Sequence, residues 1–178
     1  LQCIESVYSS ETVYSYEIIL IDNASADGTI AEVKELFPRV YRIENKENVG
    51  FSKANNQGIK VAQGRYILLL NSDTVVKEDT LETMVQFMDN YANVGACGCK
   101  VILPDGSLDK ACRRGFPTPS ASFYYFSGLA KKYPNSPKYN QYHLGHLNEN
   151  KAYPVDCLVG AFMLVRKEAI HEVGLLDE

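Results

Sequence analysis

The chain reads as an α/β protein with a wound, mostly parallel sheet flanked by helices and a small antiparallel portion toward its C-terminal half. Three observations predict this. Tyr16 to Asp22 and Tyr66 to Leu70 are almost continuously apolar runs, too short for helices and without the polar alternation of a one-sided strand, so each reads as a strand buried on both faces. Each is followed by a turn and then a segment with helical apolar spacing, the order of βα units. After Val94 this order loosens, and Pro104-Asp105-Gly106 marks a hairpin turn.

Leu1 stands inside an amphipathic helical pattern, with Leu1, Ile4 and Val7 or Tyr8 on one face. Tyr16 to Asp22 is the first buried strand and is closed by a carboxylate. The turn Asn23-Ala24-Ser25-Ala26-Asp27-Gly28 leads into a helix from about Thr29 to Phe37, which carries Ile30, Val33 and Phe37 inward and ends at Pro38. Val40 to Glu44 is a short strand. Asn48 to Gly58 turns into a helix reaching about Ala62, with Gly64 as its expected C-terminal stop. After the strand Tyr66 to Leu70 comes a helix from about Glu78 to Tyr91, with Leu81, Met84, Val85 and Met88 inward. Val94 to Leu103 reads as a strand and Ser107 to Arg113 as its return. Phe116 to Tyr153 is rich in Tyr, Pro, Asn and Ser, with a helix expected at about Ala121 to Lys131 and no periodicity after it. Long irregular stretches of this kind are usually functional or mobile. The strand Ala161 to Arg166 and a helix from Lys167 to about Val173 follow.

With 178 residues and 46% hydrophobic composition the chain can bury a proper core, and a single domain over residues 1–178 is the expectation. Both ends read as interior to a longer protein, since Leu1 begins within a helical pattern and Gly174 to Glu178 stop just after one. A formal charge of −4, a pI near 5.4 and no long basic block give no reason to expect nucleic-acid binding. The five cysteines are scattered and odd in number, as reduced thiols of a cytoplasmic protein would be. No apolar run reaches transmembrane length and there is no signal-peptide pattern, which leaves peripheral membrane contact open.

Polar residues gather where the buried strands end, the place where open α/β sheets bind ligands. In Asn71-Ser72-Asp73-Thr74 a carboxylate has an amide and two hydroxyls beside it, a set that suits Mg2+ or Mn2+ holding a substrate's phosphates. The competing reading is a turn in which Asp73 or Thr74 caps the next helix. Asp22, followed by Asn23, ends the other strand. The two strands are expected to be adjacent or nearly so, which would converge Asp22 and Asp73 on one crevice. Asp22 could there accept from a nucleobase N–H or a ribose hydroxyl, or it could simply close an Asx turn. Asn48 and Gly50 permit close backbone approach before a helix whose Lys53 and Asn55 lie near its positive end. That set suits phosphate or sugar, and equally suits a capped surface helix with a solvated lysine. Neither a P-loop nor a G-x-G-x-x-G fingerprint is present, which disfavours nicotinamide and flavin chemistry. Arg113-Arg114 could meet phosphate or stand exposed. His143 and His146 have metal-ligand spacing but no local carboxylate partner. Phe123-Tyr124-Tyr125-Phe126 reads as core, as a platform for a sugar, or as a face for a membrane.

Several motifs together carry a resemblance: IDNASADGT at Ile21 to Thr29, NVGFSKANNQG at Asn48 to Gly58, LLLNSDT at Leu68 to Thr74, LPDGS at Leu103 to Ser107, then VDCLVGAFMLVRKEAI and VGLLDE. In order and spacing they resemble family 2 glycosyltransferases of the rhamnosyltransferase-like branch, over nearly the whole chain. The resemblance implies a GT-A fold and inverting, hexosyltransferase-type transfer from a nucleotide diphosphate sugar to a glycan or lipid-linked glycan acceptor. It further implies bacterial surface polysaccharide synthesis, in the cytoplasm at the inner membrane face. By position, Asp22 would contact the base and Asp73 would be the metal carboxylate of the family's DXD motif, which reads Asn71-Ser72-Asp73 here. Losing one carboxylate at Asn71 implies weaker metal binding. Donor contacts would fall on Asp22, Asn23, Asn48, Lys53, Asn55, Asn71, Ser72 and Asp73, while Asp156, Gly160 and Ala161 would line the acceptor side. The general base of similar sequences lies in an acidic pair beyond the position of Glu178. The alternative reading is a non-catalytic nucleotide-sugar-binding or assembly module with the same fold.

Overall fold

The computed structural model describes all residues, 1–178, and the chain divides into two compact units: Leu1–Cys97 with Leu164–Glu178, and Gly98–Met163. In the first unit α1 (Gln2–Tyr8), β1 (Ile19–Asp22), α2 (Thr29–Leu36), β2 (Tyr41–Glu44), α3 (Phe51–Val61), β3 (Tyr66–Leu70) and α4 (Thr80–Asn90) alternate as the βα pattern requires. β4 (Ala96–Cys97) ends the unit's first segment. The chain re-enters through β5 (Phe162–Arg166) and closes with α7 (Lys167–Val173), after α5 (Pro119–Phe126) and α6 (Leu129–Lys132) in the second unit.

β1 and β2 pair in parallel, Ile19 opposite Tyr41 through Asp22 opposite Glu44. β3, β5 and β4 form a separate three-stranded sheet in the order β3-β5-β4, with β4 and β5 antiparallel. The strands bearing Asp22 and Asp73, expected to be adjacent or nearly so, therefore do not pair with each other. β3 buries Ile67 and Leu69 on one face, but Tyr66, Leu68 and Leu70 are only half-buried, so the expectation of two fully buried faces holds for one. β1 is shorter than its apolar run because Tyr16 and Glu17 are exposed.

Helix phase follows the apolar spacing. Ile4 and Val7 turn inward from α1, Val33 from α2 and Met88 from α4, and Ile4, Val33 and Val40 form a core cluster with Ile18, Leu20 and Phe37 packed on it. α3 lies against β1 at Gly58, where a methyl group would stand 3.0 Å from Ile21 Cδ1; only hydrogen fits without displacing the isoleucine. Gly64 is not the stop of α3. Ala62 ends it by turning to extended backbone, φ −61° and ψ 134°.

A cluster of hydrogen bonds ties the three-stranded sheet to α4. Tyr66 Oη donates to Asp89 Oδ1 at 2.6 Å, and Arg65 Nη2 to Asp89 Oδ2 at 2.7 Å. Arg166 Nη2 donates to the Met88 carbonyl at 2.7 Å and Arg166 Nε to that of Val94 at 3.1 Å.

In the second unit the hairpin at Pro104-Asp105-Gly106 is present, with Leu103 N–H donating to Ser107 O at 2.8 Å and Gly106 at φ +83°. Of the strand expected at 94–103 only β4 (Ala96–Cys97) forms, and the return strand is absent. Only the isolated pair Ile102 and Leu108 bridges, and a short 3-10 turn, Lys110–Cys112, replaces the expected return strand; the Asp109 side chain caps it. The helix expected at 121–131 is two helices, broken at Gly128 (φ +79°). It starts earlier because Thr118 accepts from Ala121 N–H and Pro119 occupies the first turn.

Candidate functional site

Asp22 ends β1 as one of two buried polar residues, 9% exposed. Ser25 N–H, three residues on, reaches both of its carboxylate oxygens at 3.3 Å, one residue beyond the bond of the expected Asx turn, and Asn45 N–H donates to its backbone carbonyl at 2.9 Å. Around it runs a network of neutral amides. Asn45 Nδ2 donates to Asn23 Oδ1 at 3.0 Å and to Gln57 Oε1 at 2.9 Å, and Gln57 Nε2 returns a bond to Asn45 Oδ1 at 2.9 Å. Asn23 Nδ2 reaches the Gly50 carbonyl at 3.4 Å, and Gly50 N–H donates to Asn48 Oδ1 at 3.0 Å. The ends of β1 and β2 and the start of α3 are thereby locked without adding charge beside Asp22.

At α3 the cap residue Gly50 (φ +84°) offers no side chain, so no side chain satisfies the helix's first N–H groups. Lys53 is exposed there. Asn55 is committed to its own helix, its Nδ2 donating to the Phe51 carbonyl at 2.9 Å. Its neighbour Asn56, 1% exposed, is the residue the sequence did not single out: it exchanges bonds with the backbone of Leu176 (2.8 and 3.0 Å) and donates to Glu178 Oε1 at 3.0 Å. Asn56 and Gln57 carried no signal beyond the amide-rich stretch NNQG, and Asn45 none at all.

At the end of β3 the Asn71 carbonyl accepts Thr74 Oγ1 at 2.7 Å, Thr74 N–H at 3.2 Å and Cys3 Sγ at 3.4 Å. Burial lifts the Cys3 thiol above its ordinary value of 9.0; the Thr74 hydroxyl opposes that, and the nearby Asp73 carboxylate adds to it. Ser72 and Asp73 are exposed. α4 begins only at Thr80, with Asp79 at its cap, so neither Asp73 nor Thr74 caps it. The capping alternative therefore fails.

No three His, Cys, Asp or Glu side chains gather as a metal cluster. The donor set still fits a hard divalent ion: the carboxylate of Asp73 and the amide oxygen of Asn71 are two oxygen donors. Mg2+-type ions commonly take one or two such protein donors, with substrate phosphates and water completing the shell.

Asp22, Asn23 and Asn48 are thus joined in one network, and Asn71, Ser72 and Asp73 share a turn. No hydrogen bond or ion pair joins the two groups. In the second unit Asp156 Oδ2 accepts Phe116 N–H at 2.9 Å, and Gly160-Ala161 lead into β5. His143 Nδ1 lies 2.9 Å from the Lys110 carbonyl, and burial foremost lowers its pKa from 6.5.

The family model described as glycosyl transferase family 2 matches residues 1–174. The chain is 32% identical over 116 residues, 58% of its length, to the putative teichuronic acid biosynthesis glycosyltransferase TuaG of Bacillus subtilis, of which the match covers 46%. It is 39% identical over 108 residues, 60% of its length, to the succinoglycan biosynthesis protein ExoO of Rhizobium meliloti, covering 31% of that protein. The chain thus spans under half the length of these relatives. Among solved structures, the mannosyltransferase PcManGT of Pyrobaculum calidifontis, in complex with GDP-Man and Mn2+, matches 98% of this chain and 42% of its own. The TM-score is 0.62 at 21% identity. The fold is of the GT-A type.

Proposed function

Since the chain belongs to glycosyltransferase family 2, we propose that it forms part of the catalytic domain of an inverting, hexosyl-transferring enzyme of surface polysaccharide synthesis. Its donor is a nucleotide diphosphate sugar and its acceptor a glycan or lipid-linked glycan hydroxyl. The observation that carries this is Asp73: a carboxylate at a strand end, exposed and unused as a helix cap. Relatives named for teichuronic acid and succinoglycan biosynthesis support the pathway class. A solved neighbour holding GDP-Man and Mn2+ supports the donor and metal classes.

Asp22, held in place by Ser25 N–H and buried behind the amide network, reads the nucleoside by accepting from its N–H or hydroxyl groups. Asn23, Asn48, Lys53 and Asn55 surround the open start of α3, where N–H groups and a lysine favour an anionic diphosphate. Asp73 and Asn71 would hold Mg2+ or Mn2+, which when bound neutralises charge on the departing diphosphate. Asp156, Gly160 and Ala161 belong to the acceptor side. A non-catalytic nucleotide-sugar-binding module is the second reading. In either reading Glu178 serves the fold, its carboxylate accepting from Asn56 Nδ2 at 3.0 Å.

Titration calorimetry with UDP, deoxythymidine diphosphate and GDP, each with and without Mn2+, tests the assignment. Metal-dependent binding of one of them is expected. The rhamnosyltransferase-like motifs make deoxythymidine diphosphate the first to try. Asp73→Ala is expected to weaken that binding at least about tenfold, roughly 1.4 kcal/mol, with an unchanged circular dichroism spectrum. Equal affinity in the variant would refute the site.

A further inference from the structure

We propose that the second unit carries a docking surface for an anionic lipid bilayer, formed by the aromatic tips of α5 and the lysines of α6 and the segment after it. The inference stands apart from the donor site and does not depend on it.

The charge distribution is the first observation. The chain as a whole has an excess of acids, 22 against 18 Lys and Arg. Between Asp109 and Glu149 there is no acid at all, while Lys110, Arg113, Arg114, Lys131, Lys132 and Lys138 all fall there. The first unit accordingly holds the acid excess. A basic segment of this kind in an acidic protein points to an anionic partner rather than to general solubility.

The second observation is what stands among those cations. Phe123 and Phe126, one helical turn apart on α5, are 63% and 78% exposed, and Phe116 just ahead of the helix is 67% exposed. Three exposed phenylalanines so close in sequence are not scattered surface residues, because each leaves a wholly apolar ring in water. The rings behind them are continuous. Phe126 meets Tyr125 at 5.3 Å, which stacks on Tyr142 at 4.9 Å; Phe123 meets Tyr124 at 6.0 Å, which meets Tyr139 at 5.1 Å, and Tyr139 meets Tyr133 at 5.2 Å. Lys132 lies over the Tyr133 ring at 5.5 Å and Lys138 over the Tyr139 ring at 5.4 Å.

Projecting phenylalanines, tyrosines set behind them and lysines at their margin make the order of groups that a bilayer interface selects. Rings enter the acyl boundary, phenols stay at the headgroup level, and ammonium groups meet anionic phosphates. A single-stranded nucleic acid or an anionic glycan would share the charge but would favour rings lying flat in a groove; here two of the three exposed rings, Phe123 and Phe126, stand in solvent on a helix. No helix of the chain is long and apolar enough to cross a membrane, so the contact is interfacial.

The chain contains no tryptophan, so Phe126→Trp in the full chain supplies a lone reporter. On vesicles of phosphatidylcholine containing phosphatidylglycerol its emission is expected to shift to the blue and to be quenched by brominated acyl chains. Pure phosphatidylcholine and about 1 M salt, where the Debye length is about 3 Å, should abolish both effects. Phe123→Ser with Phe126→Ser, and Lys131→Glu with Lys132→Glu, are each expected to lower sedimentation with anionic vesicles more than tenfold while circular dichroism stays unchanged. Emission that does not move, or vesicle binding that survives both double variants, would overturn the proposal. So would binding to a soluble polyanion such as heparin without binding to vesicles.

Discussion

At Asn56 a single side chain closes three hydrogen bonds in a buried position, two to the backbone of Leu176 and one to Glu178. The site takes two donated bonds and one accepted bond, which a carboxamide supplies and a hydroxyl with its single O–H cannot, and truncation leaves the Leu176 groups without their partner. Asn56→Ala is expected to lower stability by about 2 kcal/mol in urea unfolding. It should also release the amides of Leu176 to Glu178 to fast hydrogen exchange, and protection equal to wild type would contradict this anchor. Asp73 is the opposite case, a carboxylate with no structural duty, so its replacement should cost ligand binding rather than stability. The sequence showed Asp22 and Asp73 plainly, because each is a charge at the end of an apolar run. Asn56 looked like any other amide in NNQG; burial and a partner far along the chain distinguish it, and neither is written in local spacing.

Among the elements, α4 and the sheet it covers meet through Asp89. The Tyr66 hydroxyl foremost, then the Arg65 guanidinium, hold the Asp89 carboxyl below its ordinary value of 3.8. A carboxylate depressed in the folded state stabilises the fold at pH values above its unfolded pKa, and that stabilisation disappears as pH falls through the folded one. Stability is therefore expected to decline below about pH 4. Glu82, lowered chiefly by the Thr12 hydroxyl, adds to the decline with the same sign. Asp89→Asn should flatten it in acid-induced unfolding followed by circular dichroism; an identical acid slope would remove Asp89 from the account. Element identity was legible wherever the period was strong. β3 and α7 match their expected spans, and α2 and α4 differ from theirs only at the ends. It failed where turn chemistry decides: Thr118-Pro119 starts α5 early, Gly128 splits it from α6, and Asp109 caps a 3-10 turn where a strand was expected.

Across the whole molecule, no two of the five cysteines are joined in a disulfide, and Cys3, Cys97 and Cys112 are buried. Burial foremost pushes the Cys99 thiol up to about 11. At pH 8 only about one in a thousand such thiols is ionised, so Cys99 should resist alkylation in the native chain and label fully in denaturant. Peptide mass spectrometry after a timed iodoacetamide pulse reads this directly, and prompt native labelling of Cys99 would contradict it. By itself the sequence determined the α/β class, the helix faces, the carboxylates at the ends of two strands and the family. Those properties follow from local periodicity and from which residues interrupt an apolar run. Only the tertiary structure decided that β1 and β3 belong to separate sheets, that an amide network joins Asn23, Asn45 and Gln57 next to Asp22, and that Asp73 caps no helix. Only it showed that the Phe123 and Phe126 rings stand in solvent. Strand order and side-chain exposure depend on contacts between residues distant in the chain, and a local pattern has no access to them.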